Sequence, residues 1–437
     1  MRKSLPVTSA LSEAIRNAPT FRPRQQSRPI RAIIVASSLR LDPAHRIPKI
    51  CGGKSLFSAG KIIIKAALNS KTIQKVLRAA LAGIRGFYGR RGVVSGGNFE
   101  AVLLAAACCL VCNGCMTPGS IARRALEAPN LQNNMDQDFK SFAFATTNFP
   151  VQRIKVGPPP ATLELMVIEP GDYGAKIFSK ITPRRTLSKG DTKTNLFNFG
   201  FSFAKFPIRP ELQTNDIRGT IFLLHGYSLS KEFMLPWGLT LAKAGYRVVL
   251  VDLRGHGHST GDRIYFGGVE RTDLVQCLDE LQQRRVCSGP VGVMGISYGA
   301  VLALQWAAVD SRVQTVTAIS LYMDPGTAVA DFLKTYVPVL SARTDQKAAD
   351  IVAQRLSTEG PDLNTIAAVH RLKQTVLFVR GGHDELCSAE DLNRLKAAAP
   401  AGSEVTEVPL ANHLVAGMCI SQLSGPVVEW FGRHLTR

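Results

Sequence analysis

Residues 291–300 read VGVMGISYGA, and Gly295, Ser297 and Gly299 within them form a G-x-S-x-G pattern. An apolar run precedes the pattern and a helix-like run follows it. A serine so placed sits on a sharp strand-to-helix turn. The backbone there crowds itself, so only small residues fit two positions before and after it. The turn holds the hydroxyl above the sheet, open to a substrate and to a histidine. Such a serine suits acyl transfer: it attacks a carbonyl carbon while a base takes its proton. Three fixed positions in five recur by chance, so the pattern gains weight only from partners elsewhere in the chain. The bland alternative is a serine that merely starts a helix, since serine is a good N-cap.

Partners are present. TIFLLHGYSLS (220–230) is a buried strand running into His225-Gly226-Tyr227, and VVLVDLRGHGHSTGD (248–262) is a strand with a glycine-rich loop. TVLFVRGGHDE (375–385) ends a later strand in Asp384, and VTEVPLANH (405–413) ends the last strand in His413. Nucleophile, acid, then histidine is the chain order of the α/β-hydrolase triad.

Over roughly residues 160–437 the chain resembles the α/β-hydrolase family, in its serine esterase, lysophospholipase-like and S33-peptidase-like branch. The resemblance implies a mostly parallel central sheet flanked by helices, with a small helical cap. It implies a triad of Ser297, Asp384 and His413, with Gly295 and Gly299 as elbow glycines. The oxyanion hole would come from the backbone N–H groups of Tyr227 and Tyr298. Dehalogenases and epoxide hydrolases of this fold need an aspartate where Ser297 stands. Ester, thioester, lysophospholipid or peptide cleavage remains. The RGHGHSTGD loop and the following YFGGVERTDL look most like monoacylglycerol lipases and acyl-thioesterases. The expected function is therefore hydrolysis of a small-molecule acyl ester through an acyl-enzyme. An S33-type aminopeptidase would need an acidic pocket for the substrate amine, for which Glu270, Asp331 and Glu385 are candidates. A non-catalytic binding module would normally lack one triad member, and all three are present.

Rivals exist for two roles. Asp324, in ISLYMDPG, competes as the acid, although a following Pro-Gly also suits a turn. Asp252 is expected to make structural bonds to the RGHGHS loop. Among the histidines, His225 belongs to the oxyanion-loop motif, His256 and His258 to a loop at the pocket rim, and His383 adjoins the acid. His256 and His258 stand two apart with no clear carboxylate or thiolate set joining them, so no metal is expected, and no cofactor. Cys277 and Cys287 flank a predicted helix end and are open to pairing in an oxidising compartment; buried free thiols are the blander reading.

The pattern predicts edge strands at 162–170 and 196–206. Strands follow at 220–224, 247–252, 290–295, 313–320, 375–380 and 404–409, alternating with helices. Strands rich in Val, Ile and Leu, with helices between them, argue a parallel sheet covered on both faces. Residues 325–373 read as a cap of three short helices, 116–160 as a linker region with Pro158-Pro159-Pro160 as its stiff part, and 161–437 as the hydrolase domain.

The 437-residue chain carries a net charge of +20, which suggests a nucleic-acid binder until it is located. Residues 1–100 hold 19 of the 53 Lys and Arg but only 3 of the 33 Asp and Glu, so most of the charge lies there. That segment shows no aromatic interleaving and no nucleic-acid motif, and no nucleic-acid partner is expected. It reads as a disordered or non-native extension. AVLLAAACCLVC (101–112) is apolar and too short to span a bilayer, but it has the length of a signal-peptide core. Arg85, Arg90 and Arg91 precede it and Cys115 follows. This is similar to a bacterial lipoprotein signal, with Cys115 as the lipidated residue and a location in the cell envelope, tethered to a membrane surface. The alternative is a cytoplasmic enzyme. Oligomeric state is left open.

Overall fold

In the computed structural model, residues 117–129, 149–184, 194–203, 211–212, 217–337, 340–357 and 363–435 are described. The basic segment, the apolar run at 101–112 and Cys115 lie outside them. Helix α1 (Pro118–Leu126) comes first, capped by the Thr117 side chain. A hairpin of β1 (Val151–Val156) and β2 (Ala161–Ile168) follows. After β3 (Gly171–Asp172) come β4 (Ala175–Arg184), β5 (Thr194–Phe203) and β6 (Glu211–Leu212). The alternating part runs β7 (Thr220–Leu224), α2 (Leu235–Lys243), β8 (Arg247–Val251), α3 (Glu270–Gln283), β9 (Val291–Ile296), α4 (Tyr298–Ala307) and β10 (Val313–Ile319). Helices α5 (Pro325–Tyr336), α6 (Ala342–Ser357) and α7 (Thr365–His370) intervene before β11 (Thr375–His383). The chain closes with α8 (Ala389–Ala398), β12 (Glu404–Asn412), α9 (His413–Ala416) and α10 (Ile420–His434).

Eight strands make one sheet in the order β1-β2-β8-β7-β9-β10-β11-β12. β1 and β2 are antiparallel to each other, and β2 is antiparallel to β8; from β8 to β12 all neighbours are parallel. Every residue of β7 and β9 is buried, because helices cover both faces and no polar face is needed. Side chains alternate between two cores: Phe222 and Leu224 face one, Ile221 and Leu223 the other. Burial of each such side chain contributes about 1.5–3 kcal/mol relative to exposure, so the sheet centre is a stiff platform.

Register brings the strand ends level. Leu224 lies opposite Val251 of β8 and Gly295 of β9, and Ile319 of β10 lies opposite Ile296 and Val379. The residues after these ends, 225–227, 252 and 297, therefore emerge on one rim. β8 lies on one side of β7 and β9 on the other, so the order reverses there. In parallel sheets ligands bind at the carboxyl ends of the strands at such a reversal.

The mostly parallel sheet matches the expectation, and so do the three helices between β10 and β11. The region around residue 160 differs. Residues 151–156, within the expected linker, form the edge strand β1, and Pro158–Pro160 lie in the turn of the β1–β2 hairpin. Helix α1 packs onto the same domain: Ala122 and Leu126 are buried in the main core. The strand expected at 196–206 pairs with β4 in a separate two-stranded ribbon instead of edging the main sheet. Among the described residues, no helix is long and apolar enough to cross a membrane.

Candidate active site

Ser297 sits between β9 and α4 with φ 53° and ψ −114°. Positive φ is strained for a residue with a Cβ, at a cost on the order of 1–3 kcal/mol that the surroundings must offset. They do so by packing the turn. Ser297 N–H donates to Ile319 O at 2.8 Å. A Cβ on Gly295 would strike the Gly299 carbonyl, and one on Gly299 would strike those of Leu224 and His225. The two glycines are thus required by backbone on both sides.

His413 starts α9, where the Asn412 side chain accepts from Val415 N. Its Nε2 lies 2.9 Å from Ser297 Oγ, and its Nδ1 lies 2.9 Å from Asp384 Oδ1. A carboxylate oxygen only accepts, so Nδ1 carries the proton and Nε2 is left to receive the serine's. Asp384 Oδ1 also accepts the backbone N–H groups of Leu386 and Cys387. Both His413 and Asp384 are buried, while Ser297 is half-buried and reachable. The structure thus brings the three expected residues together from three strand ends.

The loop from His225 to Ser230 lies beside the serine: a Cβ on Gly226 would sit 3.7 Å from that of Ser297. Leu253 N–H donates to His225 Nε2 at 3.1 Å, so His225 Nδ1 must carry the ring proton, and it donates to Gly226 O at 2.8 Å. Burial lowers the His225 pKa, which keeps the ring neutral. Gly226 O and Tyr227 N–H belong to one planar trans peptide and point in opposite directions. Holding the carbonyl therefore sets the direction of the amide. Tyr298 is the first residue of α4, so its N–H has no acceptor within the helix. The Tyr227 hydroxyl donates to Arg124 O of α1, and its ring packs edge-on against His256 and Tyr298.

The rival residues go elsewhere. Asp324 caps α5, accepting from Thr327 N at 2.9 Å. His256 is buried behind the loop, and burial lowers its pKa to about 3. His383 is exposed. Glu270 is buried, with its two oxygens taken by the N–H groups of Tyr265 and Gly267, so no substrate amine meets it. Glu385 Oε2 accepts from Tyr336 Oη of α5 at 3.0 Å and from His413 N at 3.3 Å. Of the three acids weighed for an amine pocket, Asp331 remains, half-buried on α5. Cys277 and Cys287 are buried free thiols.

Asp252, at the end of β8, does bond the RGHGHS loop, accepting His258 N at 2.9 Å. It also does more. Lys231, only 1% exposed, places its Nζ 2.7 Å from Asp252 Oδ2 and 2.9 Å from both Glu164 Oε1 and Glu232 Oε1. His258 joins this cluster with Nδ1 3.3 Å from the same ammonium. Two carboxylates thus do accompany His258, contrary to the sequence reading, and the Lys231 ammonium stands among them. Residues 164, 231 and 252 lie too far apart in the chain for spacing to have joined them. Lys231 lies seven residues past the end of β7, beside Glu232, and no local pattern marked it.

Residues 185–375 match the X-Pro dipeptidyl-peptidase (S15) family, a stretch that includes Ser297 and stops before Asp384 and His413. The chain is 28% identical over 109 residues to the uncharacterized protein YqkD of Bacillus subtilis, covering 25% of this chain and 34% of that one. It is 32% identical over 98 residues to the caffeoylshikimate esterase of Arabidopsis thaliana, covering 20% of this chain and 28% of that one. The matches thus span about a third of the length of these curated relatives. The Pyrococcus furiosus esterase PF2001 superposes with a TM-score of 0.47 at 19% identity, over 68% of this chain and 94% of that one. The sheet order and the elbow at its reversal point give this chain the α/β-hydrolase fold, and the S15 family matches it over residues 185–375.

Proposed function

We propose that the chain is a serine hydrolase that cleaves carboxylic esters of small acyl substrates through an acyl-enzyme. One observation carries the reading: the continuous hydrogen-bonded chain Ser297 Oγ, His413 and Asp384, with both links at 2.9 Å. In this reading His413 Nε2 takes the serine proton as Oγ attacks the carbonyl carbon. Asp384 holds the tautomer and stabilises the imidazolium without itself being protonated. The amides of Tyr227 and Tyr298 meet the oxyanion. His413 then protonates the leaving alkoxide, and the cycle repeats with water. A panel of p-nitrophenyl esters, assayed beside Ser297→Ala, tests this. Turnover by the wild type alone is expected, and equal rates would refute it.

The S15 match favours a second reading, cleavage of peptide bonds. The engagement of Glu270 and Glu385 by other groups weighs against an amine-anchoring pocket. Aminoacyl and Xaa-Pro p-nitroanilides beside the esters separate the two. From residues 81–115 we further propose export to the cell envelope with a lipid on Cys115. A native protein retaining peptides from residues 1–80 would rule that out.

A further inference from the structure

The loop of the expected oxyanion donor Tyr227 is gripped at both ends. At one end His225 holds the Gly226 carbonyl; within the loop Leu229 N–H donates to that carbonyl at 3.2 Å. Ser228 has φ 59°, a conformation that a free serine leaves readily, so the loop needs constraint from outside. At the other end stands Lys231. One carboxylate grips it twice: Asp252 Oδ1 accepts its backbone N–H at 2.6 Å and Oδ2 its ammonium at 2.7 Å. Glu164 of β2 and Glu232 complete the cage, and Arg153 of β1 holds the far oxygen of Glu164 at 2.8 Å. Burial would lower the Lys231 pKa, but Asp252 and Glu232 outweigh it and raise it, so the ammonium stays charged.

We propose that Lys231 is a positioning residue for the hydrolytic reaction: its caged ammonium ties the oxyanion loop to β8 and β2 and so fixes the Tyr227 amide against the serine. A hydrocarbon of equal length fills the space but leaves three buried carboxylates facing one another, and the loop end moves away from them. Because Lys231 touches no substrate, its effect falls on transition-state stabilisation more than on ester binding. The inference rests on the proposed serine-hydrolase reading.

The test compares Lys231→Met and Glu232→Gln with the wild type on p-nitrophenyl butyrate. The rate is expressed per active site, with sites counted by fluorophosphonate titration. For Lys231→Met we expect kcat per site to fall about 10- to 100-fold, with KM within about threefold. Inhibition by a butyl trifluoromethyl ketone, which forms the tetrahedral adduct, should weaken in proportion. For Glu232→Gln a drop of about 3- to 10-fold is expected. A merely structural lysine would lower the number of titratable sites and the Tm while leaving kcat per site unchanged. That result in both variants overturns the proposal. If Lys231→Met does not fold, Glu232→Gln decides alone: a loss in kcat supports it and a wild-type kcat overturns it. Ser297→Ala keeps the failures apart, since its retained activity would sink the hydrolase reading itself.

Discussion

Two aspartates follow the carboxyl ends of parallel strands on either side of Ser297. Asp252 follows β8 and Asp384 ends the loop of β11, each two strands away from β9 in the sheet. Both are buried. Asp252 faces the Lys231 ammonium and the backbone N–H groups of Lys231 and His258. Asp384 faces an imidazole and two amides of its own loop. One partner is an ammonium whose pKa the surrounding carboxylates raise; the other, in the proposed reaction, gains and loses a proton in each turn of acyl transfer. A carboxylate fixed to a permanent cation builds structure. A carboxylate facing a group of changing charge stabilises a transient state. The same residue type at equivalent strand ends is thus sorted into two roles by its partner.

The comparison breaks most visibly in activity. Ser297→Ala and His413→Ala should each lower kcat by about 10⁴-fold or more in the ester assay. Asp384→Asn should follow at about 10⁴-fold, because the amide permits the wrong tautomer of His413. Asp252→Asn should cost far less in kcat, about 10- to 100-fold, yet more in stability: removing one member of a buried ion cluster costs about 3–5 kcal/mol, read by urea denaturation. If the two variants exchange these signatures, the assignment of roles is wrong.

Acid unfolding sharpens the contrast. Burial alone would raise the Asp252 pKa, but His258 and Lys231 lower it; Lys231 and Arg153 likewise lower that of Glu164. Groups with depressed folded pKa values contribute stability above their unfolded values, near 4, and lose it as the pH falls further. His258 runs the other way. Asp252 raises its pKa, so its smaller, half-exposed share is present below about pH 6.5 and fades above it. Tm measured from pH 3 to 7 should drop steeply below pH 4 in the wild type and less steeply in Asp252→Asn. Smallest of all, Asp324→Asn should leave kcat unchanged and cost about 1 kcal/mol or less, since it only caps α5.

The same contrast explains what was legible in the sequence. β7, β8 and β9 read clearly because a strand covered on both faces is a continuous apolar run. Ser297 and Asp384 read clearly because each follows a largely apolar strand, and His413 because it ends the last strand, β12, in the expected order. β1 did not: VQRIKV alternates, with Val151, Arg153 and Lys155 outward and Ile154 and Val156 inward, as an edge strand must. The proline turn after it looked like a linker. Of the ribbon only β5 reads as strand; β4 falls in the stretch between the two expected strands, and nothing local states the pairing. The Lys231 cage was invisible because its members come from β2, from the residue after β8 and from a short 3-10 helix at residues 231–234, and only the fold joins them.

The central claim is that Ser297 is the nucleophile activated by His413. Its most direct test is peptide mapping after reaction with a fluorophosphonate. The expected result is a single phosphonyl adduct on Ser297 in the wild type, with labelling almost abolished in His413→Ala. An unlabelled wild type, or undiminished labelling of Ser297→Ala, would contradict it.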